Sequence, residues 1–426
     1  MWFTYFAYFA CILVVFLCDS FKAKKLWLHK ESIKLLHRYD LSQGKRAAKD
    51  LYHTVVFVRK QKNLDKLESI LHAVSDPESP EYGNYLTKED VAKITGDPEA
   101  VTEIVNYLKR NGVTNSTVST YGDYISADAS VKTWETILKC EFYEFRHKVS
   151  NSPPFVRSLK YFLHHSLADH VEAVLNTVQL PSPHIVATPM TTTTDPITAM
   201  GGFVTPALLR SFYHIDDTVG NNLTSQGVYG NLQQSVSPSD LALFQLMFQI
   251  PDQPILTGTG GHVSEDACSL SVAYCMEANL DAQYITAIGQ KVPTTYYYWT
   301  GLDIWLGFVT RMANMDNPPD VLSISYGSYE FFMSKVYLDA FNVEVMKLAV
   351  VGTTVVAASG DDGVAGFVAR MLGAAYCGYL PMFPASSPYV TTVGGTMVRT
   401  SAPISQNYIC FVLFFFLCIC VHSTGS

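Results

Sequence analysis

The chain has 426 residues, enough for roughly two or three ordinary domains. With 48% hydrophobic and 16% charged residues, its composition is that of a globular protein with a large core and excludes a disordered chain. The formal net charge is −8, and no basic stripe or nucleic-acid-binding motif occurs, so nucleic acid is excluded as an expected partner.

An apolar run opens the chain. Residues 1–20, MWFTYFAYFACILVVFLCDS, are too short for a clear membrane span and lie where a signal peptide lies. No Lys or Arg precedes the run, whereas Lys22, Lys24 and Lys25 follow it. The segment is predicted to be a cleaved signal peptide, and an uncleaved signal anchor is the alternative.

Cysteines and sequons also bear on the compartment. Cys268 and Cys275 are close enough in sequence to clip a short loop as a disulfide, which an oxidising compartment would allow. Two buried thiols are the alternative. Asn115 and Asn222 each begin an Asn-X-Ser/Thr sequon and are candidate glycosylation sites. Together with the leader, these features predict the secretory pathway.

Residues 48–180 are predicted to form one α+β domain. LYHTVVFVRK is a β-branched strand, and the next segment has helical spacing with Leu64, Leu67 and Leu71 on one face. Asp97 is the expected cap of a later helix, because a Pro follows it directly. The order strand, helix, strand, strand-like turn, helix, strand indicates a split βαβ arrangement of the ferredoxin-like type.

The pattern changes in the second half of the chain. Residues 181–200 are rich in Pro, Thr and Ala and are predicted to be a linker that contains a processing site. In 201–400, VLSISYG (321–327) and VVGTTVVAASG (350–360) are continuous β-branched runs, typical of parallel strands buried on both faces. An α/β domain with a crossover helix between these strands is therefore predicted. Residues 401–426 form a Phe- and Cys-rich apolar tail unlike the rest.

The stretch CMEANLDAQYI carries a pair of acids. Glu277 and Asp281 are four residues apart, which places them on the same face of the predicted helix. Two carboxylates in contact share a proton and the pKa of one rises, so the pair can act as a base in acid, where a His would stay protonated. The alternative is an exposed helix face on which two acids happen to be neighbours.

A second acidic motif, SGDDG, contains Asp361 and Asp362. It directly follows a predicted buried strand, and ligands of open α/β sheets bind at the carboxyl ends of strands. The alternative is a polar turn, since Asp and Gly are common turn residues. An aspartic-protease interpretation is poor, because Asp362 or Gly363 stands where Thr or Ser is needed and no second copy exists.

From about residue 51 to 400 the chain resembles the sedolisin family, the serine-carboxyl peptidases. HAVSDPESPEYGNYLTKEDV and YGDYI resemble parts of the family's activation prodomain, and FVTPALLRSFYHI resembles the start of the mature enzyme. EANLDAQYI, PDVLSISYG, ASGDDG and FPASSPYVTTVGGT match the family's motifs in order and spacing.

The resemblance implies a fold and a set of roles. The fold is a subtilisin-like parallel sheet with flanking helices, preceded by the prodomain. Glu277 would be the general base, Asp281 would hold it in place, and a protonated Asp361 would donate to the oxyanion. Ser325 and Gly327 would offer backbone groups to an extended peptide.

The resemblance also implies partners and a location. The substrate would be a peptide or protein, cleaved by a tripeptidyl-peptidase or an endopeptidase activity at acid pH. The prodomain would be an intramolecular inhibitor, and the enzyme would be secreted, lysosomal or vacuolar. Ca²⁺ is expected for the family, but the site near the C-terminus of its members has no counterpart in this sequence.

The sequence departs from the family after Arg399, where the apolar tail begins. The family's nucleophile lies in a Gly-Thr-Ser motif, which does not occur here. We therefore expect a truncated product, from an in-frame intron or an alternative isoform, with a partial and catalytically incomplete peptidase domain. One alternative is a non-catalytic product whose prodomain inhibits or chaperones a full-length relative. Another is a binding protein that is anchored to a membrane by its apolar ends. Membrane contact is expected only if these ends are retained.

Overall fold

The computed structural model describes residues 26–33, 35, 40–148, 153–181, 204–216, 219–299, 301, 303–363, 366, 369 and 378–395. The predicted signal peptide, the apolar tail and all but the first residue of the predicted linker lie outside these residues. The chain divides into two compact units, Met1–Gln61 with Asp97–Leu180, and Lys62–Gly96 with Pro181–Ser426.

The elements are numbered along the chain. The described strands are β1 (Trp27–Ser32), β2 (Leu41–Arg46), β3 (Tyr52–Arg59), β4 (Asn115–Val118), β5 (Tyr124–Ser130), β6 (Phe142–His147), β7 (Phe155–Ser158), β8 (Lys160–His164), β9 (Val171–Leu175), β10 (Gln226–Gly230), β11 (Leu256–Thr257), β12 (Thr294–Tyr298), β13 (Val321–Ile324), β14 (Ser328–Tyr329), β15 (Thr354–Ala358), β16 (Met382–Phe383) and β17 (Thr391–Val393). The described helices are α1 (Leu64–Ser75), α2 (Lys88–Thr95), α3 (Pro98–Arg110), α4 (Val131–Leu138), α5 (His165–Ala168), α6 (Pro206–Phe212), α7 (Pro238–Met247), α8 (Glu265–Leu270), α9 (Met276–Ile288), α10 (Leu306–Ala313) and α11 (Lys335–Val350).

The first unit is built on an antiparallel sheet with the strand order β4-β5-β3-β9. In chain order, β3, α3, β4, β5, α4 and β9 give the βαββαβ pattern and strand order of a ferredoxin-like fold. The buried Trp134 of α4 packs in the core with Phe57 and Ile125, and its ring N–H donates to the His53 carbonyl at 2.7 Å. The predicted α+β fold of this region is confirmed.

Helix α3 begins as its sequence predicts. The side chain of Asp97 accepts a hydrogen bond from the Ala100 amide at 3.2 Å, and Pro98 is the first helical residue. Ile104 and Leu108, four residues apart, are fully buried. The cap and the buried apolar face therefore both place this helix where the sequence predicts it.

Helices α1 and α2 lie within residues 48–180, which were predicted to form one domain, and by their contacts they group with the second unit. Helix α1 packs against α11, the Leu86 amide after α1 donates to the Val350 carbonyl at 2.8 Å, and the Tyr389 hydroxyl donates to Glu68 at 2.6 Å. An amphipathic pattern predicts that a helix face is buried, but it does not identify the element that covers it.

The second unit contains a parallel sheet with the strand order β11-β12-β10-β13-β15-β17. This confirms the predicted α/β fold with a parallel sheet, and α11 is the predicted crossover helix between β13 and β15. The predicted strands were too long: β13 ends at Ile324 and β15 at Ala358. Because Ile324 pairs with Ala357, the segments that follow these two strands leave the same edge of the sheet side by side.

Among the described residues, no helix is both long and apolar enough to cross a membrane.

Candidate active site

Helix α9 carries the acid pair and lies against the sheet. The amide of Glu277, in its first turn, donates to the side-chain oxygen of Gln234 at 3.1 Å. Ala278, Ala282 and Ile285 form its buried stripe and pack in one core cluster with sheet residues such as Tyr296. The two small alanines allow the helix to approach the sheet closely, which carries any acid on this stripe into the interior.

Asp281 lies on the inward face of α9, and 8% of its surface is exposed. Its Oδ1 accepts a hydrogen bond from the Ser325 hydroxyl at 2.6 Å. Its Oδ2 is buried and has no hydrogen-bond partner among the described residues. Burial raises the pKa of Asp281 well above its ordinary value, the charge of Glu277 raises it further, and the Ser325 hydroxyl opposes the rise.

Glu277 is half-buried and lies one helical turn before Asp281. Burial raises the pKa of Glu277 to about 7, and the negative charge of Asp361 adds to the rise. Asp361 is exposed and follows β15 through Gly360, whose φ of 104° places it in the left-handed region. The structure thus brings the acids of two separate motifs into one electrostatic environment, and the interpretation of α9 as an exposed helix face is not supported.

Buried phenols surround the acid pair. Burial raises the pKa of both Tyr296 and Tyr326, and the charges of Asp281 and Glu277 raise both values further. The Tyr296 hydroxyl donates to the Gln234 carbonyl at 3.1 Å. Neutral phenols of this kind lower the local dielectric, so the interactions among the carboxyl groups are stronger than in water.

Sequence reasoning missed Gln234, Tyr296 and Tyr326 as parts of the site. Tyr326 lies inside the SISYG motif and Tyr296 inside the run TTYYY, so a signal was present for both. No local pattern marks Gln234, which reaches the site from a turn after β10.

Ser325 and Gly327 lie in the segment that follows β13, at the carboxyl edge of the sheet. The side chain of Ser325 binds Asp281, whereas the resemblance implied a backbone role for this residue. At Gly327 a Cβ atom would lie 3.3 Å from the Phe383 carbonyl oxygen, so the backbone there is closely packed. The contact of either residue with a peptide stays a prediction.

The remaining candidate residues lie away from the acid pair or at its edge. Cys268 and Cys275 form a disulfide with a Cα–Cα distance of 5.3 Å, and Cys275 directly precedes α9. Asn115 and Asn222 are exposed, as glycosylation requires. Among the described residues, the one group with metal-ligand spacing is Asp240 with these two cysteines. The sulfurs are joined to each other and Ca²⁺ takes oxygen ligands, so this group does not fit Ca²⁺.

The chemistry available to this arrangement is proton transfer. Two neighbouring carboxyl groups in a dry environment hold one proton between them over a wide pH range. Glu277, the more exposed member, can exchange a proton with a third group at the carboxyl edge of the sheet.

Comparison with known proteins identifies relatives over most of the chain. Residues 40–180 match the family profile "Pro-kumamolisin, activation domain". Tripeptidyl-peptidase 1 of Mus musculus is 30% identical over 84% of this chain and 64% of its own length. Physarolisin of Physarum polycephalum is 29% identical over 85% of this chain and 62% of its own length. The chain therefore spans less than two thirds of the length of these relatives.

A solved structure of Pseudomonas sedolisin, described as a serine-carboxyl proteinase, superposes with a TM-score of 0.37 at 23% identity, over 46% of this chain and 55% of its own. So loose a superposition carries no argument about the site. The activation-domain match and the curated relatives agree with the order of motifs along the sequence. Residues 40–180 thus match a peptidase activation domain, and the chain is similar to tripeptidyl-peptidase 1 and physarolisin over most of its length.

Proposed function

We propose that this chain represents an acid-acting serine-carboxyl peptidase that is made as a proenzyme and hydrolyses peptide bonds. The observation that supports the proposal best is the burial of Asp281 beside Glu277, together with the charge of Asp361 acting on Glu277. Carboxyl groups that interact in this way can exchange a proton with a third group, as general acid–base catalysis requires.

In the proposed mechanism each acid has one role. Glu277 takes the proton from a serine hydroxyl, and Asp281 holds Glu277 in place through the shared proton. Asp361, when protonated, donates a hydrogen bond to the oxyanion that forms on the scissile carbonyl. Ser325 and Gly327 present backbone groups to an extended peptide. No step uses a metal.

We propose further that these 426 residues do not complete the reaction by themselves. The Gly-Thr-Ser motif in which the family's nucleophile lies does not occur in the sequence. We propose separately that the complete site removes tripeptides rather than cleaving internal bonds. The name of the relative tripeptidyl-peptidase 1 favours this specificity.

A chimera tests the roles of the acids. Residues 1–395 are joined to the remaining C-terminal part of mouse tripeptidyl-peptidase 1, and release of a fluorophore from a tripeptide amide is measured at about pH 4. The unmodified chain should show no turnover, and the chimera should gain it. Glu277→Gln should abolish this gain by removing the base, whereas Asp252→Asn, which changes an exposed acid, should leave it intact.

Two outcomes would contradict the proposal. Turnover by the unmodified chain would show that it contains a nucleophile outside the Gly-Thr-Ser motif. Full activity of a Glu277→Gln chimera would show that the acid pair is not the base.

The match of residues 40–180 to an activation domain favours a second candidate function. In this function the product is not catalytic, and it inhibits or chaperones a full-length relative. Adding the full chain to mature mouse tripeptidyl-peptidase 1 should then lower its activity in a saturable way. Unchanged activity at a large molar excess of the chain would exclude the inhibitory form of this function.

We propose the secretory pathway as the location, with a secreted or lysosomal destination. The disulfide between Cys268 and Cys275 and the exposed sequons at Asn115 and Asn222 support this proposal. Calcium dependence and glycosylation stay predictions for the complete protein.

A further inference from the structure

Ser325 donates its hydroxyl hydrogen to an acid that is almost completely buried. The Oγ–Oδ1 distance to Asp281 is 2.6 Å, short for a bond between a hydroxyl and a carboxyl group. Ser325 follows β13, which is held on both sides by parallel neighbours, so its backbone position is set by the sheet. This hydrogen bond therefore assigns one oxygen of Asp281 as an acceptor.

The other oxygen of Asp281 has a different environment. Oδ2 is buried and has no hydrogen-bond partner among the described residues. A negative charge on such an atom is disfavoured, because nothing replaces the water it has lost. A proton on Oδ2 removes this charge, and Oδ1 still accepts the hydrogen bond from Ser325.

Among the described residues, the titratable groups that interact with the pair carry no positive charge. The charged and titratable groups that act on it are Asp361 from the segment after β15, Tyr296 from β12 and Tyr326 from the segment after β13. All three are acids or phenols, so they do not compensate a second negative charge. One proton on the Glu277–Asp281 pair is the available compensation.

We propose that Ser325 is a positioning residue for the acid pair: its hydroxyl occupies Oδ1 of Asp281, directs the shared proton to Oδ2, and leaves Glu277 as the ionised member. The proposal rests on the proposed function only in assigning Glu277 as the base. The role assigned to Ser325 is to hold Asp281, and covalent labelling distinguishes this role from that of a nucleophile.

The arrangement has a consequence for Glu277. A proton fixed on Oδ2 is available as a hydrogen bond to ionised Glu277, one turn away on the same helix. Removing the Ser325 hydroxyl lets the proton move to either oxygen, so this donor is lost for part of the time. The pKa of Glu277 should then rise, because its ionised form is less stabilised.

Infrared titration of the full chain tests the proposal without requiring turnover. The protein is produced with ¹³C-carboxyl aspartate, and the stretching band of protonated carboxyl groups is followed with pH. Glu277→Gln identifies the titration of Glu277. We expect a band that moves with the aspartate label, is lost in Asp281→Asn, and persists after Glu277 has ionised.

Variants at Ser325 supply the decisive comparison. In Ser325→Ala the Asp281 band should move to higher frequency, and the Glu277 midpoint should rise by about half a pH unit or more. Ser325→Thr retains the hydroxyl and should restore both values. Near-UV circular dichroism on each variant checks that the fold is retained.

Three results would overturn the proposal. The first is a band of protonated carboxyl groups that does not shift with the aspartate label, which would place the proton on Glu277. The second is a Ser325→Ala protein with an unchanged band and midpoint. The third is covalent labelling of Ser325 by a fluorophosphonate, which would make it a nucleophile. A failure of the chimera to hydrolyse peptides would count against the proposed function and would leave the infrared result intact.

Discussion

Burial of one carboxyl group governs the pH response of this site. Asp281 faces the interior because it shares a helix stripe with two alanines and an isoleucine, and Glu277 lies one turn away with more exposure. The two acids differ in environment although they are alike in chemistry. Pairs of titratable groups whose surroundings separate their pKa values are the usual basis of acid and base assignments.

The raised pKa of Glu277 predicts how stability changes with pH. Its pKa is about 7 in the folded protein and close to 4.5 when unfolded, so the folded state binds the proton more tightly. This contribution is fully present below pH 4.5 and is lost as pH rises through about 7. Glu277→Gln removes this pH dependence, because the amide does not titrate. As pH rises from 4.5 to 7, the free energy of unfolding of the variant should therefore increase relative to wild type by on the order of 2 kcal/mol.

Thermal unfolding of the two proteins as a function of pH measures this difference. The exposed-acid variant Asp252→Asn is the matched control and should follow the wild-type curve. Parallel curves for wild type and Glu277→Gln would contradict the assigned pKa of Glu277.

At the scale of elements, one carboxyl group joins two helices. Asp303 accepts hydrogen bonds from the amides of Leu306 and Gly307, each at 3.1 Å, and so satisfies the free N-terminus of α10. The Tyr337 hydroxyl of α11 donates to the same carboxyl group at 2.5 Å. The neighbouring Trp305 donates its ring N–H to the Tyr326 carbonyl at 3.1 Å, which links this helix junction to the segment beside the acid pair.

Tyr337→Phe should loosen this junction. It deletes a hydrogen bond to a buried carboxyl group, and we expect a loss of about 1–3 kcal/mol in the free energy of unfolding, with no new cavity. Chemical denaturation measures the loss. Tyr379→Phe, in which an exposed tyrosine changes, should have no effect. An equal loss in both variants would show that the hydroxyl of Tyr337 has no special role.

The contact of α1 with the sheet unit gives a second prediction at this scale. The Tyr389 hydroxyl donates to Glu68, and burial, then this hydrogen bond and the Glu68 charge, raise the pKa of Tyr389 to about 12. Tyr389→Phe should remove about 1 kcal/mol and speed amide hydrogen exchange in α1. Exchange in α3 should not change, and Tyr82→Phe should leave both helices as in wild type. Unaltered exchange in α1 would show that this hydroxyl does not hold the helix.

At the scale of the whole molecule, the two units respond to acid with opposite signs. Burial lowers the pKa of His53 in the first unit to about 4 from an ordinary value of 6.5. Its stabilising contribution is present above pH 6.5 and is lost as pH falls towards 4, because the unfolded state then binds the proton more tightly. Acid therefore weakens the first unit at His53 and strengthens the second at Glu277.

Calorimetry across this pH range should show that the unfolding transitions of the two units change in opposite directions. The transition of the first unit should fall with acid while that of the second holds or rises, so the two should separate as pH decreases from about 6.5 to 4.5. His53→Gln keeps a donor for the Asn176 carbonyl without a titrating ring, and it should flatten the response of the first unit. Transitions that move together in both proteins would contradict the assignment.

Much of this molecule could be predicted from local patterns, and the failures have identifiable causes. The cap at Asp97, the crossover helix and the parallel sheet follow from residue types and spacing that act over a few positions. Strand β10 was missed because it contains two glycines, which weaken a strand pattern, whereas the tyrosine run of β12 is a strand signal that was not used. A side chain at Gly230 would collide with the Tyr296 ring, so that glycine is required by packing that only the fold reveals.

The acids of the site were predicted from the sequence, but the residues that contact or surround them were not. The spacing of Glu277 and Asp281 and the position of Asp361 after a strand are visible in the sequence. The hydrogen bond from Ser325 to Asp281 joins residues 44 positions apart, and it forms because α9 packs against the sheet. Long-range contacts of this kind have no local signature.

The placement of α1 and α2 makes the backbone pass between the two units three times, at residues 61/62, 96/97 and 180/181. A single cut in the segment 182–203 would leave the first two passages uncut. The N-terminal fragment would still hold α1 and α2 within the sheet unit, as a tether of packed helices. We therefore expect the two fragments to migrate as one species under native conditions and to separate only in denaturant. Detachment of the first unit would require either a second cut or extraction of the tether.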